Sequence, residues 1–168
     1  MKTLYIHGLD SFPVPEKIKI LENAGMEVTA LHLDYRTQMD SFQILKQVIL
    51  DQEIEFIVGS SMGGYIGYWL GEDLGLPCLL FNPAMSFSSS LDEHRPAVEN
   101  RLCPARFVVI GTLDETVDPK KNIEFFKDAE RADCQQRVVR CEWLSHQIDF
   151  NTFDEMVVWA LRGLQNNK

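Results

Sequence analysis

Short apolar runs alternate with helical segments along most of the chain. Runs rich in β-branched and aromatic residues indicate six strands. They are Thr3–His7, Glu27–Leu33, Glu55–Val58, Cys78–Phe81, Arg106–Ile110 and Arg137–Trp143. Apolar spacing and helix-start signals indicate five helices between them. These are Pro15–Ala24, Ser41–Gln52, Met62–Leu74, Pro119–Ala129 and Asn151–Leu164. Strands that alternate with helices are typical of a parallel sheet.

The polarity of single elements indicates how they are layered. The strands Phe56–Val58 and Cys78–Phe81 are apolar without alternation, as expected when helices cover both faces of a sheet. The last helix gathers its apolar residues on one face, which can cover that sheet. In the second helix, Asp40 or Ser41 is placed to cap the free N–H groups. The sequence therefore predicts an α/β fold with three α/β/α layers, in which the sheet is doubly wound, six-stranded and mostly parallel.

Length and periodicity set the domain organisation. A chain of 168 residues is typical of one domain, so we expect a single unit over residues 1–168. Only residues 85–104 lack clear periodicity. Long loops inside a compact domain are usually functional, and we expect a lid-like loop here that is too short to form a large cap.

Charge and hydropathy exclude several classes of partner. Lys and Arg number 16 against 25 Asp and Glu, a formal net charge of −9, and no basic cluster suits a phosphate backbone. Nucleic acid is therefore not an expected partner. No apolar run reaches the roughly 20 residues of a membrane span, so no membrane is expected either. The sequence assigns no oligomeric state.

The amino terminus and the cysteines indicate the compartment. The first residues indicate a strand and lack a signal-peptide pattern, so we expect a cytoplasmic protein. The cysteines form neither a Cys-x-x-Cys pair nor a compact spacing with histidines, and we expect them to be reduced and to serve packing. They are Cys78, Cys103, Cys134 and Cys141.

A Gly-x-Ser-x-Gly pattern follows the third strand. Gly59-Ser60-Ser61-Met62-Gly63 stands between a predicted strand and a predicted helix. A serine on such a sharp turn stands clear of the sheet as a nucleophile, and its small neighbours let strand and helix approach. The segment lacks both the Gly-x-Gly-x-x-Gly spacing and the P-loop lysine, which argues against a nucleotide site. Ser61 is the candidate nucleophile.

A nucleophilic serine needs a base, and four histidines compete for that role. His146 follows the last strand, and parallel strands deliver their carboxyl ends to the edge where Ser61 also lies. We therefore expect His146 to be the base. His7 ends the first strand and is expected to support the oxyanion loop. His32 closes the second strand, and His94 lies in the long loop, where it could touch substrate.

A carboxylate must orient the base, and three candidates follow the fifth strand. Asp114 is favoured, because Asp118 stands directly before Pro119 and is expected to cap a helix. Glu115 is the third candidate. The chain order serine, aspartate, histidine is that of α/β-hydrolases.

A tetrahedral oxyanion needs backbone donors beside the serine. We expect the N–H groups of Met62 and Leu9 to supply them. The substrate is expected to be lined by the loop around Ser11 and Phe12 and by Phe87, with His7 and His94 as further candidates.

These segments together resemble a known family. The chain is similar to the small bacterial YqiA/YcfP-like esterases of the α/β-hydrolase superfamily. The similar segments are Leu4–Ser11, Gly59–Tyr65, Phe81–Ala84, Asp114–Asp118 and the late histidine. The serine motif followed by Asn82-Pro83-Ala84 is the most specific part. In place of the glycine and asparagine that often precede this histidine in the family, Leu144 and Ser145 precede His146.

The resemblance implies a function and a mechanism. It implies a minimal α/β-hydrolase without a large cap, a Ser61, Asp114 and His146 triad, and no metal or organic cofactor. The expected partner is a small-molecule carboxylic ester or thioester, cleaved through an acyl-enzyme intermediate. The alternative is a catalytically weak or inactive protein that keeps the fold for binding, since a fold alone does not fix a function.

Overall fold

The computed structural model describes residues 1–87 and 102–165. Strands and helices alternate along it. The strands are β1 (Lys2–Ile6), β2 (Glu27–Ala30), β3 (Phe56–Ser60), β4 (Cys78–Phe81), β5 (Arg106–Gly111) and β6 (Gln136–Cys141). The helices are α1 (Pro15–Asn23), α2 (Ser41–Gln52), α3 (Met62–Leu74), α4 (Pro119–Asp128) and α5 (Phe150–Gln165). A short 3-10 helix, Met85–Phe87, follows β4. The predicted α/β fold is confirmed.

All six strands form one parallel sheet in the order β2-β1-β3-β4-β5-β6. The chain runs from β1 outward to β2 and then returns to the other side of β1 for β3. This reversal leaves a crevice at the carboxyl ends of β1 and β3, the usual place for a ligand in such sheets. Gly8 and Ser61 lie just beyond these two strand ends.

Two apolar clusters fill the space between the sheet and its helices. One contains Leu45 of α2, Tyr65 of α3 and Phe126 of α4. The other contains Leu21 of α1 and Phe153 of α5. Helices α2, α3 and α4 therefore cover one face of the sheet and α1 and α5 the other, which makes the three predicted layers.

The prediction that all cysteines are reduced is wrong for one pair. Cys103 and Cys134 form a disulfide, with their Cα atoms 5.1 Å apart. Cys78 and Cys141 are free and buried, as expected. Spacing rules could not find the pair, because its members stand 31 residues apart and meet only through the pairing of the strands that follow them. Disulfides are uncommon in cytosolic proteins, and the cytoplasmic location stays a prediction.

Two further expectations concern the helices. The side chain of Asp118 caps α4, where its Oδ1 accepts from the N–H groups of Lys120 and Lys121. Asp40 occupies the N-cap position of α2, but its side chain makes no capping hydrogen bond. Across residues 1–87 and 102–165, no helix has both the length and the apolar character that a membrane crossing requires.

Candidate active site

Ser61 lies on a strained turn between β3 and α3. Its backbone has φ 54° and ψ −116°, a conformation that costs a non-glycine residue about 1–3 kcal/mol. Glycines on both sides make the turn possible. A Cβ on Gly63 would overlap the carbonyl oxygens of Ile6 and His7, and one on Gly59 would overlap the backbone of Gly63. The turn therefore fits directly against the end of β1.

The segment after β1 passes close to Ser61. A Cβ on Gly8 would lie 3.3 Å from Ser61 Cβ and 3.9 Å from Ser61 Oγ, so this position leaves little room for a side chain. The N–H groups of Leu9 and Met62, the two expected oxyanion donors, make no hydrogen bond within the described part of the chain. Met62 opens α3, where N–H groups have no partner inside the helix. Both donors are thus free to bind a ligand.

Asp114 and His146 form a hydrogen-bonded pair. His146 Nδ1 donates to Asp114 Oδ2 at 2.8 Å, and the Asp114 side chain is 1% exposed. The other oxygen, Asp114 Oδ1, accepts from the backbone N–H groups of Thr116 and Val117, both at 2.8 Å. These contacts fix the carboxylate, and the carboxylate in turn fixes the imidazole with Nε2 free for another partner.

Asn82 joins the loop of His146 to the sheet. Its Nδ2 donates to the carbonyl oxygens of Ser145 at 2.8 Å and His146 at 3.3 Å. Its Oδ1 accepts from Gly111 N at 2.7 Å. Gly111 is packed against Leu144, with no space for a Cβ. Sequence reasoning used Asn82 only for the resemblance and missed this role, because the contact spans 63 residues.

A small cavity of about 70 Å³ brings Ser61 and His146 together. Leu9 and Ser11 also line it, as expected for the segment after β1. Among the described residues, no hydrogen bond links Ser61 Oγ to His146. Hydrogen bonds of this kind are often long before substrate binds and tighten in the complex.

His7 is buried behind the cavity and supports the segment after β1. Its Nε2 accepts from Leu33 N at 3.1 Å, so the neutral ring carries its proton on Nδ1, which donates to Gly8 O at 2.7 Å. The hydroxyl of Tyr35 donates to His7 O. Burial lowers the pKa of His7, and this outweighs the opposing effect of the Gly8 hydrogen bond.

The remaining expected lining residues lie elsewhere. Phe12 is 58% exposed and does not line the cavity. Phe87 lines a second cavity of about 340 Å³, which it shares with Asp114. His94 and most of the expected loop 85–104 lie outside the described residues.

Lys17 lines the cavity as well, and sequence reasoning missed it. It is 8% exposed, on α1. Burial lowers the pKa of its ammonium group, and the nearby Asp149 opposes this. The signal was present in the sequence, since Lys17 shares a helix face with Leu21 and Ala24 at spacings of four and seven.

The parallel sheet, its strand order and the serine turn after β3 define an α/β-hydrolase fold. Solved structures of this fold are similar to the chain over nearly its whole length. A monoacylglycerol lipase from Paleococcus ferrophilus has 15% identity and a TM-score of 0.74, covering 96% of this chain and 94% of its own. A SOBER1 variant from Arabidopsis thaliana has 18% identity and a TM-score of 0.68, covering 98% and 100%. FphF, a fluorophosphonate-binding serine hydrolase from Staphylococcus aureus, has 14% identity and a TM-score of 0.69, covering 95% and 83%.

The family is more specific than the fold. A model of UPF0227, an uncharacterised protein family, matches residues 2–103, which is more than half of the chain. The chain belongs to this family, and the resemblance to the YqiA/YcfP-like proteins is confirmed.

Proposed function

We propose that the chain is a serine hydrolase that cleaves small carboxylic esters or thioesters. Ser61 is the nucleophile, His146 the general base and acid, and Asp114 the group that orients the imidazole. The observation that carries the proposal is the Asp114–His146 hydrogen bond at the rim of the cavity that Ser61 also lines. The strained backbone of Ser61 adds support, since such strain concentrates at functional sites.

The proposed reaction has two halves. Ser61 Oγ attacks the carbonyl carbon while His146 Nε2 takes its proton, and Asp114 stabilises the imidazolium. The N–H groups of Leu9 and Met62 hold the oxyanion of the tetrahedral intermediate. The intermediate expels the alcohol or thiol, which takes the proton from His146, and leaves an acyl group on Ser61. A water gives a proton to His146 as it attacks this ester, and His146 passes that proton to Ser61 Oγ as the acid leaves.

Covalent labelling tests the nucleophile. The structural neighbour FphF is named for binding fluorophosphonates, so a fluorophosphonate probe is a suitable reagent. We expect the probe to label the wild type at Ser61 and to leave Ser61→Ala unlabelled. Ser41→Ala is the control, because it removes a buried serine hydroxyl at the start of α2, outside the cavity, and keeps the proposed nucleophile. Equal labelling of wild type and Ser61→Ala would refute the assignment.

One observation favours binding without turnover as a second candidate function. Ser61 Oγ and His146 are not hydrogen bonded to each other in the described part of the chain. A screen of short p-nitrophenyl esters separates the two functions. Turnover with an initial burst supports the hydrolase, whereas no burst and no turnover from a folded protein supports binding.

A further inference from the structure

The Lys17 side chain is largely buried, and its ammonium has no ionic partner among the described residues. It is 8% exposed, and it makes no hydrogen bond or salt bridge with any described residue. A buried charge is costly unless it is paired, and lysine is rarely buried otherwise. Lys17 lines the same cavity as Ser61. An ammonium at this position, without an ionic partner among the described residues, is available to an anionic group of a ligand.

Two neutral groups in the same cavity also lack partners. Ser60 Oγ is buried without a hydrogen bond, and the Tyr5 hydroxyl has no hydrogen-bond partner among the described residues. Both residues line the cavity with Lys17. Buried polar groups in native proteins are nearly always satisfied, so the unbonded Ser60 hydroxyl needs an explanation. A ligand group rich in acceptor oxygens would satisfy all three.

The charge of the cavity lining selects an anion. None of its described lining residues is acidic, and Lys17 is the only lysine or arginine among them. Asp149 interacts electrostatically with Lys17 but lies outside ion-pair distance. Lys17 is therefore the source of positive charge among the described lining residues, although the chain as a whole carries a formal charge of −9.

A purely structural role for Lys17 explains less. Its Nζ lies 5.3 Å from the centre of the Phe153 ring, a cation–π contact that offsets part of the burial cost. Such a contact gives the three N–H donors of the ammonium no acceptor among the described residues. It also gives no account of Ser60 or Tyr5.

We propose that this cavity binds a carboxylate carried by the substrate, held by Lys17 with the hydroxyls of Ser60 and Tyr5. The substrates would then be esters or thioesters that bear a carboxylate within a few carbons of the reacting carbonyl. The volume of about 70 Å³ suits a small group such as a carboxylate. This inference rests on the proposed hydrolase function and specifies its substrate class. The carboxylate belongs either to the acyl group or to the leaving group.

Matched ester pairs test the inference and separate these two sources. For the acyl group, the pair is p-nitrophenyl hydrogen adipate and p-nitrophenyl hexanoate, which have the same number of acyl carbons. For the leaving group, the pair is the acetyl ester of p-hydroxybenzoate and that of p-hydroxybenzamide. We expect the wild type to prefer the anionic ester in one pair by about tenfold in kcat/KM, as one charge-assisted hydrogen bond supplies. The ester pair that shows this preference tells whether the carboxylate belongs to the acyl group or to the leaving group.

Two lysines on α1 provide a matched comparison. Lys17→Met removes the charge and keeps the length of the side chain, and we expect it to lower the preference by about tenfold. Lys19→Met removes the same charge from an exposed position on the same helix and should leave the preference within about twofold. No anionic preference in either wild-type arm would overturn the inference. Equal effects of the two variants would overturn it as well.

Binding of a free dicarboxylate tests the inference without ester turnover and without a variant. We expect adipate to slow fluorophosphonate labelling of the wild type at lower concentration than adipamide, a test that needs no variant if Lys17→Met does not fold. If no ester is turned over and Ser61 is not labelled, the proposed function has failed. Calorimetric titration of the wild type with adipate and adipamide then still tests whether the cavity binds a carboxylate. Equal binding of the two compounds, or no binding, would overturn this inference independently of the proposed function.

Discussion

Asn82 is the residue through which the sheet holds the loop of His146. Its amide bonds two loop carbonyls on one side and the end of β5 on the other. Its backbone has φ 41°, a left-handed conformation that asparagine tolerates better than most residues. None of these contacts involves a side chain of the proposed triad. We therefore regard Asn82 as a positioning residue for the imidazole.

Replacement of Asn82 should lower turnover more than stability explains. We expect Asn82→Ala to reduce kcat on a short ester by about tenfold to a hundredfold, since misplaced catalytic groups cost this much. KM should change far less. Asn122→Ala is the control, because it removes a buried amide that donates to Pro83 O at 2.8 Å without touching the loop. Equal losses of kcat in the two folded variants would show that Asn82 acts only through stability.

His7 should make stability depend on pH just below neutrality. Its pKa is lowered by burial in the folded chain, so the unfolded chain binds a proton first as pH falls through about 6.5. The folded state then loses up to about 1.4 kcal/mol per pH unit until the lower folded pKa is reached. Above this window His7 is neutral in both states and contributes no pH dependence.

Urea unfolding at about pH 7.5 and about pH 5.5 measures this contribution. We expect the wild type to lose more unfolding free energy between the two values than His7→Gln, whose side chain can still accept from Leu33 N and donate to Gly8 O. A variant with the same pH dependence as the wild type would contradict the assignment of a neutral, buried His7.

At the scale of elements, two helix starts differ in a way that the sequence did not reveal. Aspartate precedes both α2 and α4 at the N-cap, yet only Asp118 bonds the free N–H groups. We expect Asp118→Ala to lower the unfolding free energy by about 1 kcal/mol, a typical cost of losing an N-cap. Asp40→Ala should change it by less than about 0.5 kcal/mol, as exposed sites usually do. Chemical unfolding of both variants checks this, and equal losses would contradict it.

The order and type of the elements could be predicted because each depends on local pattern. All five helices begin within a residue of the predicted start, since proline, capping residues and apolar spacing mark them. Strand β2 ends earlier than predicted, at Ala30. Leu33 was included in it as an apolar residue, but its N–H bonds the side chain of His7 instead of a neighbouring strand.

The candidate site could be predicted only in part, because it joins distant segments. Ser61, Asp114 and His146 each follow a strand, and the parallel topology predicted that they share an edge. The supporting contacts of Asn82 depend on tertiary distances that no local pattern encodes. The sequence does show Lys17 as a charged residue on the apolar face of α1. The cavity that it lines could not be predicted, because residues of α1 and β3 line it together only in the folded chain.

At the scale of the whole molecule, the net charge and the local charge oppose each other. A chain with formal charge −9 repels anions at long range, and salt screens this repulsion beyond about 8–10 Å. Lys17 acts at short range inside a cavity, where screening is weaker. A substrate carboxylate would thus be disfavoured on approach and stabilised once bound.

The disulfide and the candidate site lie at opposite ends of the sheet. Cys103 and Cys134 precede β5 and β6, so their disulfide ties the amino ends of two paired strands. The candidate site lies at the carboxyl ends. Free Cys78 is buried, and burial raises its thiol pKa to about 12, which makes it unreactive in the folded chain.

Removing the disulfide should therefore lower stability and leave the chemistry intact. We expect the double variant Cys103→Ser with Cys134→Ser to lose about 2–4 kcal/mol of unfolding free energy, because the unfolded chain regains the freedom of a closed loop. Its kcat/KM on a neutral ester should stay within about twofold, since distant changes rarely move a site. A reductant should destabilise the wild type by a similar amount and leave the double variant unchanged. Alkylation of the unfolded, unreduced wild type at all four cysteines, in place of Cys78 and Cys141 alone, would contradict the pairing.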